Sequence, residues 1–404
     1  MVRKLLIICI FILCTGTFSR VYAEGINDSD DRNKTDNRTT IESIIAEQAK
    51  GENVTEILNT IDEYTGEEIY RYFSNISFES IFEDALTGQF KPDMNNLLKG
   101  ALSFITYELK KNIVIIAYIL IITAIYSIIG SLADSSGIKG VKDITGYVCF
   151  GAIILIIVGS YMEVIYSVST MIGDLSGFVI SVTPLLITLL STGGNIVGAV
   201  TMSPIIMFCS QFCVVAVDTY FMPVAVSYGL IGMVKSISSE IKLDKLCGFI
   251  KSLCVWPLGM ILTVFTFILS MQKSIATTGG GLTVKLMKNL IGAVPVVGGK
   301  LSEATTTVLS CLGIVRTASG TVIMICIAGI AALPILRTVV LAFVYKAASA
   351  VCEIISEKKY SDVIEFASGS LFMIAGISGV ISFMFLIIMT IIIGTGNASL
   401  AIAT

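Results

Sequence analysis

Histidine is absent from all 404 residues. That removes the commonest general base, the commonest metal ligand and the usual sensor of physiological pH. Charge is scarce, at 14% of residues, where a soluble domain carries about a quarter. No glycine-rich stretch matches a phosphate-binding loop, so the chain alone cannot draw on nucleotide hydrolysis. No basic patch is large enough for nucleic acid. None of the ten cysteines falls in residues 24–111, and a disulfide scaffold is not indicated there. Cys9 and Cys14 lie in the first 23 residues, and the other eight sit in or beside apolar runs, where a cysteine acts as a small buried hydrophobe. No paired catalytic constellation is present, and nothing among the many serines and lysines selects a dyad. These absences point away from an enzyme, a cofactor or a metal.

What is there is apolar, at 54% of residues. Residues 1–23 read as a signal peptide. Arg3 and Lys4 precede a short apolar run from Leu5 to Cys14, and Val21-Tyr22-Ala23 offers a cleavage site before Glu24. The alternative is an uncleaved anchor, disfavoured by the shortness of the run. Cleavage leaves a chain that starts at Glu24, outside the cytoplasm.

Residues 24–111 carry 18 acidic and 9 basic side chains. Residues 24–39 are polar and rich in Asn and Asp, as in a flexible leader. Helical periodicity comes next. Val54, Ile57, Leu58 and Ile61 form one stripe behind Asn53, with Glu56 placed as its capping partner. Phe78, Ile81, Phe82, Ala85 and Leu86 form a second behind Ser77, and Met94, Leu97, Leu98, Ala101, Leu102 and Ile105 a third after Pro92. Such stripes must be buried against each other, a partner or a membrane surface. The expectation is a small, acidic, helical extracytoplasmic domain over 24–111.

From Asn112 the chain changes character. A hydrocarbon core about 30 Å thick needs about 20 apolar helical residues. Six runs meet that length: 113–132, 147–171, 196–217, 252–271, 321–336 with its flanks, and 371–393. Runs 175–190, 221–234 and 338–355 are shorter or broken. The expected fold class is all-α: a polytopic helical membrane protein whose domain 112–404 holds about seven to nine apolar segments in the lipid bilayer. Positive-inside counting puts Lys139, Lys142 and the lysines of 235–251 in the cytoplasm, but leaves the C-terminal third open.

Polar residues inside these runs are the candidate functional groups. Ser160, Glu163, Ser167 and Thr170 share one helical face. An intramembrane carboxylate normally faces a bundle interior or a water-filled cavity, here a polar pathway or ion site; the alternative is a hydrogen-bonded patch between helices, or a carboxylate near the outer interface. Gln211 and Asp218 lie seven apart, as do Lys346 and Glu353. Lys346 and Glu353 are too far apart along a helix for an ion pair. Arg337 closely follows Pro334 and points elsewhere. Gly193-Gly194 marks a turn more readily than a transport site. Gly279-Gly280-Gly281 precedes a basic amphipathic stretch suited to lying in the interface.

The segment Ala293-Val294-Pro295-Val296-Val297-Gly298-Gly299-Lys300-Leu301-Ser302-Glu303-Ala304 resembles a signature of the stage III sporulation protein AE family of endospore-forming bacteria. So do Ala332-Leu333-Pro334-Ile335-Leu336-Arg337, the stretch to Tyr345-Lys346-Ala347-Ala348, and the ending Ile393-Gly394-Thr395-Gly396-Asn397. The resemblance implies a membrane subunit of a secretion-like channel complex in the mother-cell membrane around the forespore. Its implied partners are other stage III sporulation membrane proteins, including a separate ATPase. It assigns no catalytic residue. The alternative reading of the residues is a free-standing permease for a small solute or ion, with Glu163 on its pathway.

Overall fold

The computed structural model describes residues 52–65, 71, 77–87, 94–136, 139–237, 243–292 and 298–403, with side chains described mainly up to 271 and from 311 to 395. The expected signal peptide and leader lie outside the described residues. Every regular element among those described is helical: α1 (Glu52–Tyr64), α2 (Phe78–Leu86), α3 (Met94–Ser136), α4 (Lys139–Thr192), α5 (Ile196–Ala216), a π-helical turn (Val217–Phe221), α6 (Met222–Ile237), α7 (Asp244–Gly292), α8 (Gly298–Ile355) and α9 (Lys358–Ala403).

Six stretches among the described residues are long and apolar enough to cross a membrane: Asn95–Ser136, Gly140–Thr192, Ile196–Ser236, Asp244–Met271, Cys311–Ile355 and Lys358–Thr395. The protein is therefore a polytopic helical membrane protein. The three short runs of the sequence are continuations of longer helices. Run 175–190 extends α4, run 221–234 is α6 stacked on α5, and run 338–355 completes α8. Proline and charge read as breaks in the sequence, yet prolines are tolerated in such helices when the freed backbone groups find other partners. Two are visibly served here. Pro257 has no N–H to offer the Leu253 carbonyl one turn earlier, and the Tyr220 hydroxyl donates to that carbonyl at 2.8 Å instead. Pro223 deprives Thr219 in the same way, and the preceding turn widens into the π form.

The helices alternate in direction. The helix ends at Ser136 and Lys139, at Ile237 and Asp244, and at Ile355 and Lys358 gather at one end, the lower end of the bundle. There Lys142 bridges Asp134 at 2.8 Å and Glu357 at 3.6 Å, and Lys235 pairs with Asp244. At the upper end α4 turns into α5 through Gly193-Gly194-Asn195. Gly194 takes φ 84°, the left-handed conformation that glycine accepts without strain. The Asn195 N–H returns to the Leu190 carbonyl at 3.1 Å, as in a Schellman stop. The Asn195 side chain then caps α5, accepting from the Gly198 N–H at 2.8 Å. The glycine pair is thus a turn.

The acidic N-terminal helices do not stand apart from this bundle. Val54, Ile57, Ile61, Phe78 and Phe82 are buried in the same core as α4 and α8. Tyr64 meets Phe178 edge-on at 5.7 Å. Ser77 caps α2 as expected, accepting from the Ser80 N–H at 3.4 Å. Helix α1 begins at Glu52, so Asn53 lies inside it and not at its cap. The expected division at 111/112 is a change of composition within α3, which continues through it unbroken. Helix α7 likewise runs on through Gly279-Gly280-Gly281 to Gly292.

Candidate functional site

The third apolar stripe of the sequence forms the upper part of α3 and ends in Glu108, Lys111 and Asn112. Those positions, three or four residues apart, lie close together on the helix surface. Glu108 is 1% exposed and Asn112 8%. Such burial of a carboxylate is costly unless a cation and hydrogen bonds satisfy it. Arg337 of α8 supplies the cation: its Nε donates to Glu108 Oε1 at 2.9 Å, and its guanidinium lies over the Phe104 ring at 6.0 Å. Asn112 Nδ2 donates to Glu108 Oε2 at 3.3 Å and to the Glu108 carbonyl at 2.8 Å.

Alongside, Lys111 reaches Glu163 of α4 at 3.0 Å. This second pair is open to solvent, at 47% and 62% side-chain exposure. Ser167, one turn further along α4, joins both pairs around a small cavity, together with Thr338. Its volume of about 10 Å³ is room for one water at most. Three helices are therefore fastened at one height by two ion pairs and an amide.

The other candidates fall outside this cluster. Ser160 lies one turn below Glu163 and accepts from the Tyr345 hydroxyl at 2.8 Å. Asp218 sits in the π-helical turn, further toward the upper end, and accepts from Ser169 at 2.8 Å. Gln211 is exposed on α5. Lys346 pairs with Glu365 of α9, in a separate lower cavity. The structure thus unites Glu163, Ser167 and Arg337, and leaves Gln211, Asp218 and Lys346 apart. Glu163 lies on an exposed face and reaches across to Lys111 of α3, a contact between helices of the kind the second reading of these residues describes. Arg337 points elsewhere than Lys346, and there it neutralises the most deeply buried carboxylate of α3. Sequence reasoning missed Glu108, Lys111 and Asn112 because a boundary drawn at 111 assigned the first two to the acidic segment. The usable signal was their spacing, directly ahead of an apolar run.

Among the described residues no group of His, Cys, Asp or Glu is arranged to hold a metal, and no carboxylate, hydroxyl or thiol of the cluster stands beside a base positioned to activate it. Chemically, the arrangement is a fastening. A buried carboxylate that loses its cation leaves an uncompensated charge, at a cost of about 3–5 kcal/mol. The exposed Lys111–Glu163 pair contributes about 0–1 kcal/mol.

Six long apolar helical stretches among the described residues, fastened to one another by polar side chains, define a multi-pass membrane protein. Within that class the chain belongs to a sporulation family: the family described as Stage III sporulation protein AE matches residues 76–396. The chain is similar to the Stage III sporulation protein AE of Bacillus subtilis (strain 168), with 24% identity over 307 residues that cover 75% of this chain and 76% of the relative. No solved structure matches it.

Proposed function

We propose that the chain is a non-enzymatic membrane subunit of a multi-protein, secretion-like channel complex that links mother cell and forespore and is needed for late forespore development. Its partners in this reading are other stage III sporulation membrane proteins, among them a separate ATPase that supplies the energy this chain cannot. The signal peptide directs residues 24–111 to the extracytoplasmic side of the mother-cell membrane around the forespore.

One observation carries the subunit reading: the exposed apolar surface is about twice as tall as the hydrocarbon core of a bilayer. On α3 it runs from Ile113 through Tyr118, Ile121, Ile125 and Ile128 to Leu132. All of that lies between the Lys111–Glu163 pair and the lower end. On α5 it runs from Ile196 through Val200 and Phe208 to Val215, and all of that lies between Asp218 and the upper end. Each strip is about 29 Å long at 1.5 Å per residue, close to one hydrocarbon thickness. The Glu163 and Asp218 levels separate the two. A single bilayer covers one strip, and the other requires protein. Helix α1 supports assigning the upper strip to protein. It packs beside Phe178 and Cys326 at that height with Glu56, Asp62 and Glu63 exposed, and such charges need water. A permease complete in one chain has no use for an uncovered second strip.

The test is affinity purification of the tagged protein from sporulating cells, followed by mass spectrometry. Stoichiometric recovery with membrane partners and an ATPase is the expected result. Recovery alone, together with solute flux in liposomes holding only this chain, would replace the reading with a permease.

A further inference from the structure

The mid-height cluster leaves a second set of charges unused. Between α6, α8 and α9 lies a cavity of about 440 Å³, lined among others by Lys235, Lys346, Lys358, Asp362 and Glu365. Lys346 pairs with Glu365, and Lys235 pairs with Asp244 just outside the cavity. Three ammonium groups are thus balanced by three carboxylates.

The height of this group is fixed by α3. Glu108 meets Arg337, Thr123 meets Cys352, and both contacts join positions 229 apart. Helices α3 and α8 therefore descend side by side, and Lys346 stands level with Ala117. That is inside the lower apolar strip, where α3 has no charged residue between Lys111 and Asp134. Yet the Lys346 and Glu365 side chains are 53% and 54% exposed. Charges at hydrocarbon depth face protein or water and not lipid tails.

The surroundings single out one face. Of the described residues of α9, only Lys358, Glu365 and Gly376 are exposed. Their spacing of 7 and 11 residues places them on one side of a helix that is otherwise enclosed. Nothing lies within 4 Å of a Cβ placed at Gly376. Beside them α8 exposes Ala347 and Ala350, flanked by Phe343 and Ile354. Small residues that let backbones approach, with a polar pair among them, are what membrane helices present to one another.

The charge balance says whose helices these are. A second copy of the chain inserts in the same direction, and rotation about the bilayer normal leaves every residue at its own height. Lys346 and Glu365 share one height, so in a two-fold pair each faces the opposite charge on the other copy. A face of one net sign would repel its own copy. A neutral face with both signs at one level is complementary to itself, as a two-fold contact requires.

We propose that this α8–α9 face joins two copies of the chain within the bilayer, with Lys346 of each copy facing Glu365 of the other. The contact covers both cavities and shields their charges from lipid. The inference rests on the assignment of the lower strip to the bilayer. It asks nothing of the channel reading, on which recovery of an ATPase bears alone.

The test co-expresses the full-length protein with two different tags, isolates it in mild detergent, and scores capture of one tag through the other. Wild-type copies should capture each other. Lys346→Glu copies, with only carboxylates at the contact, should do so roughly tenfold less, because like charges across an interface are strongly disfavoured. Glu365→Lys copies should behave likewise. Mixing a Lys346→Glu copy with a Glu365→Lys copy restores opposite charges across the contact but not within either chain, so capture should return. A mixture as weak as its parents confines the charges to a role within one chain and overturns the contact. Gly376→Cys, treated in membranes with a short thiol cross-linker, gives a readout independent of those charges. A covalent dimer is expected from it, and none from Trp256→Cys on the exposed face of α7 or from the wild type, whose described cysteines are all buried. Equal capture in every combination, with no cross-linked dimer, overturns the contact. A Gly376→Cys adduct with a different membrane protein overturns the second copy in favour of a partner subunit.

Discussion

Helices α7 and α9 are both apolar enough to cross a membrane, and they occupy opposite places in the protein. In its most apolar window α9 is 67% buried, whereas α7 is 17% buried. Apolar content therefore does not separate inside from outside. The bonds made by small hydroxyl residues do, since on α7 Ser252, Thr263 and Thr266 bond only to carbonyls of their own helix. Helix α9 carries Ser361, Ser368, Ser370 and Ser378, all buried. Three of them bond across helices: Ser361 with Ser349, Ser368 to the Ala342 carbonyl at 2.8 Å, and Ser370 to the Ala225 carbonyl at 2.7 Å. Helix α7 exposes Val255, Trp256, Met260 and Phe267. Lipid is as apolar as leucine, so helices in it associate through close backbone approach and hydrogen bonds, and large apolar side chains are left on the outside.

The strongest way to break this contrast is to remove a charge from the interior. Arg337→Ala should cost about 3–5 kcal/mol by stranding Glu108. It should show as loss of monodisperse protein on mild heating, and Glu108→Gln with Arg337→Met should recover part of the loss. Next is the tight packing around α9. A Cβ at Gly320 would stand 2.3 Å from Ile393 Cδ1, so Gly320→Val should cost about 1–3 kcal/mol, while Gly259→Ala on α7, with nothing within 4 Å, should leave the unfolding midpoint in place. Trp256→Ala sharpens the comparison from the outer side. Trp256 is 78% exposed, so the isolated protein should keep its stability while the yield of co-purified partners falls.

The smallest expected effect is a pH dependence at the lower end. Burial pushes the Glu357 carboxyl up. Hydrogen bonds from Lys359 and Tyr126, with the charges of Lys359 and Lys142, outweigh it and hold the group below its ordinary value. A carboxyl lowered on folding contributes stability above its unfolded value and loses it as pH falls through the folded one. Acid titration of thermal stability should therefore show a shallow loss below the usual glutamate range. Glu357→Gln should flatten it.

Much of the fold is legible in the sequence. The apolar stripes of α1 and α2 are plain there, down to the Ser77 cap, because burial of an amphipathic stripe is a local rule. Helix count is less legible, since Pro223 and Pro334 look like stops until their neighbours are known. The candidate site is half legible. Glu163, Ser167 and Arg337 stand out as polar groups in apolar runs. Glu108 does not, because its neighbours in sequence are acidic-segment residues and its partner lies 229 positions away. Lys346 reads as a pathway residue, but Glu365, 19 residues on across the turn into α9, is what claims it.

The uninterrupted length of α4 limits how much of it lipid can cover. With 54 residues it is a rod about 80 Å long, anchored at its foot by Lys142 and braced near its middle by Glu163. A helix that long exceeds one hydrocarbon thickness of about 30 Å more than twofold, so its Gly193 tip and its Lys142 foot cannot both be bathed by the same lipid layer.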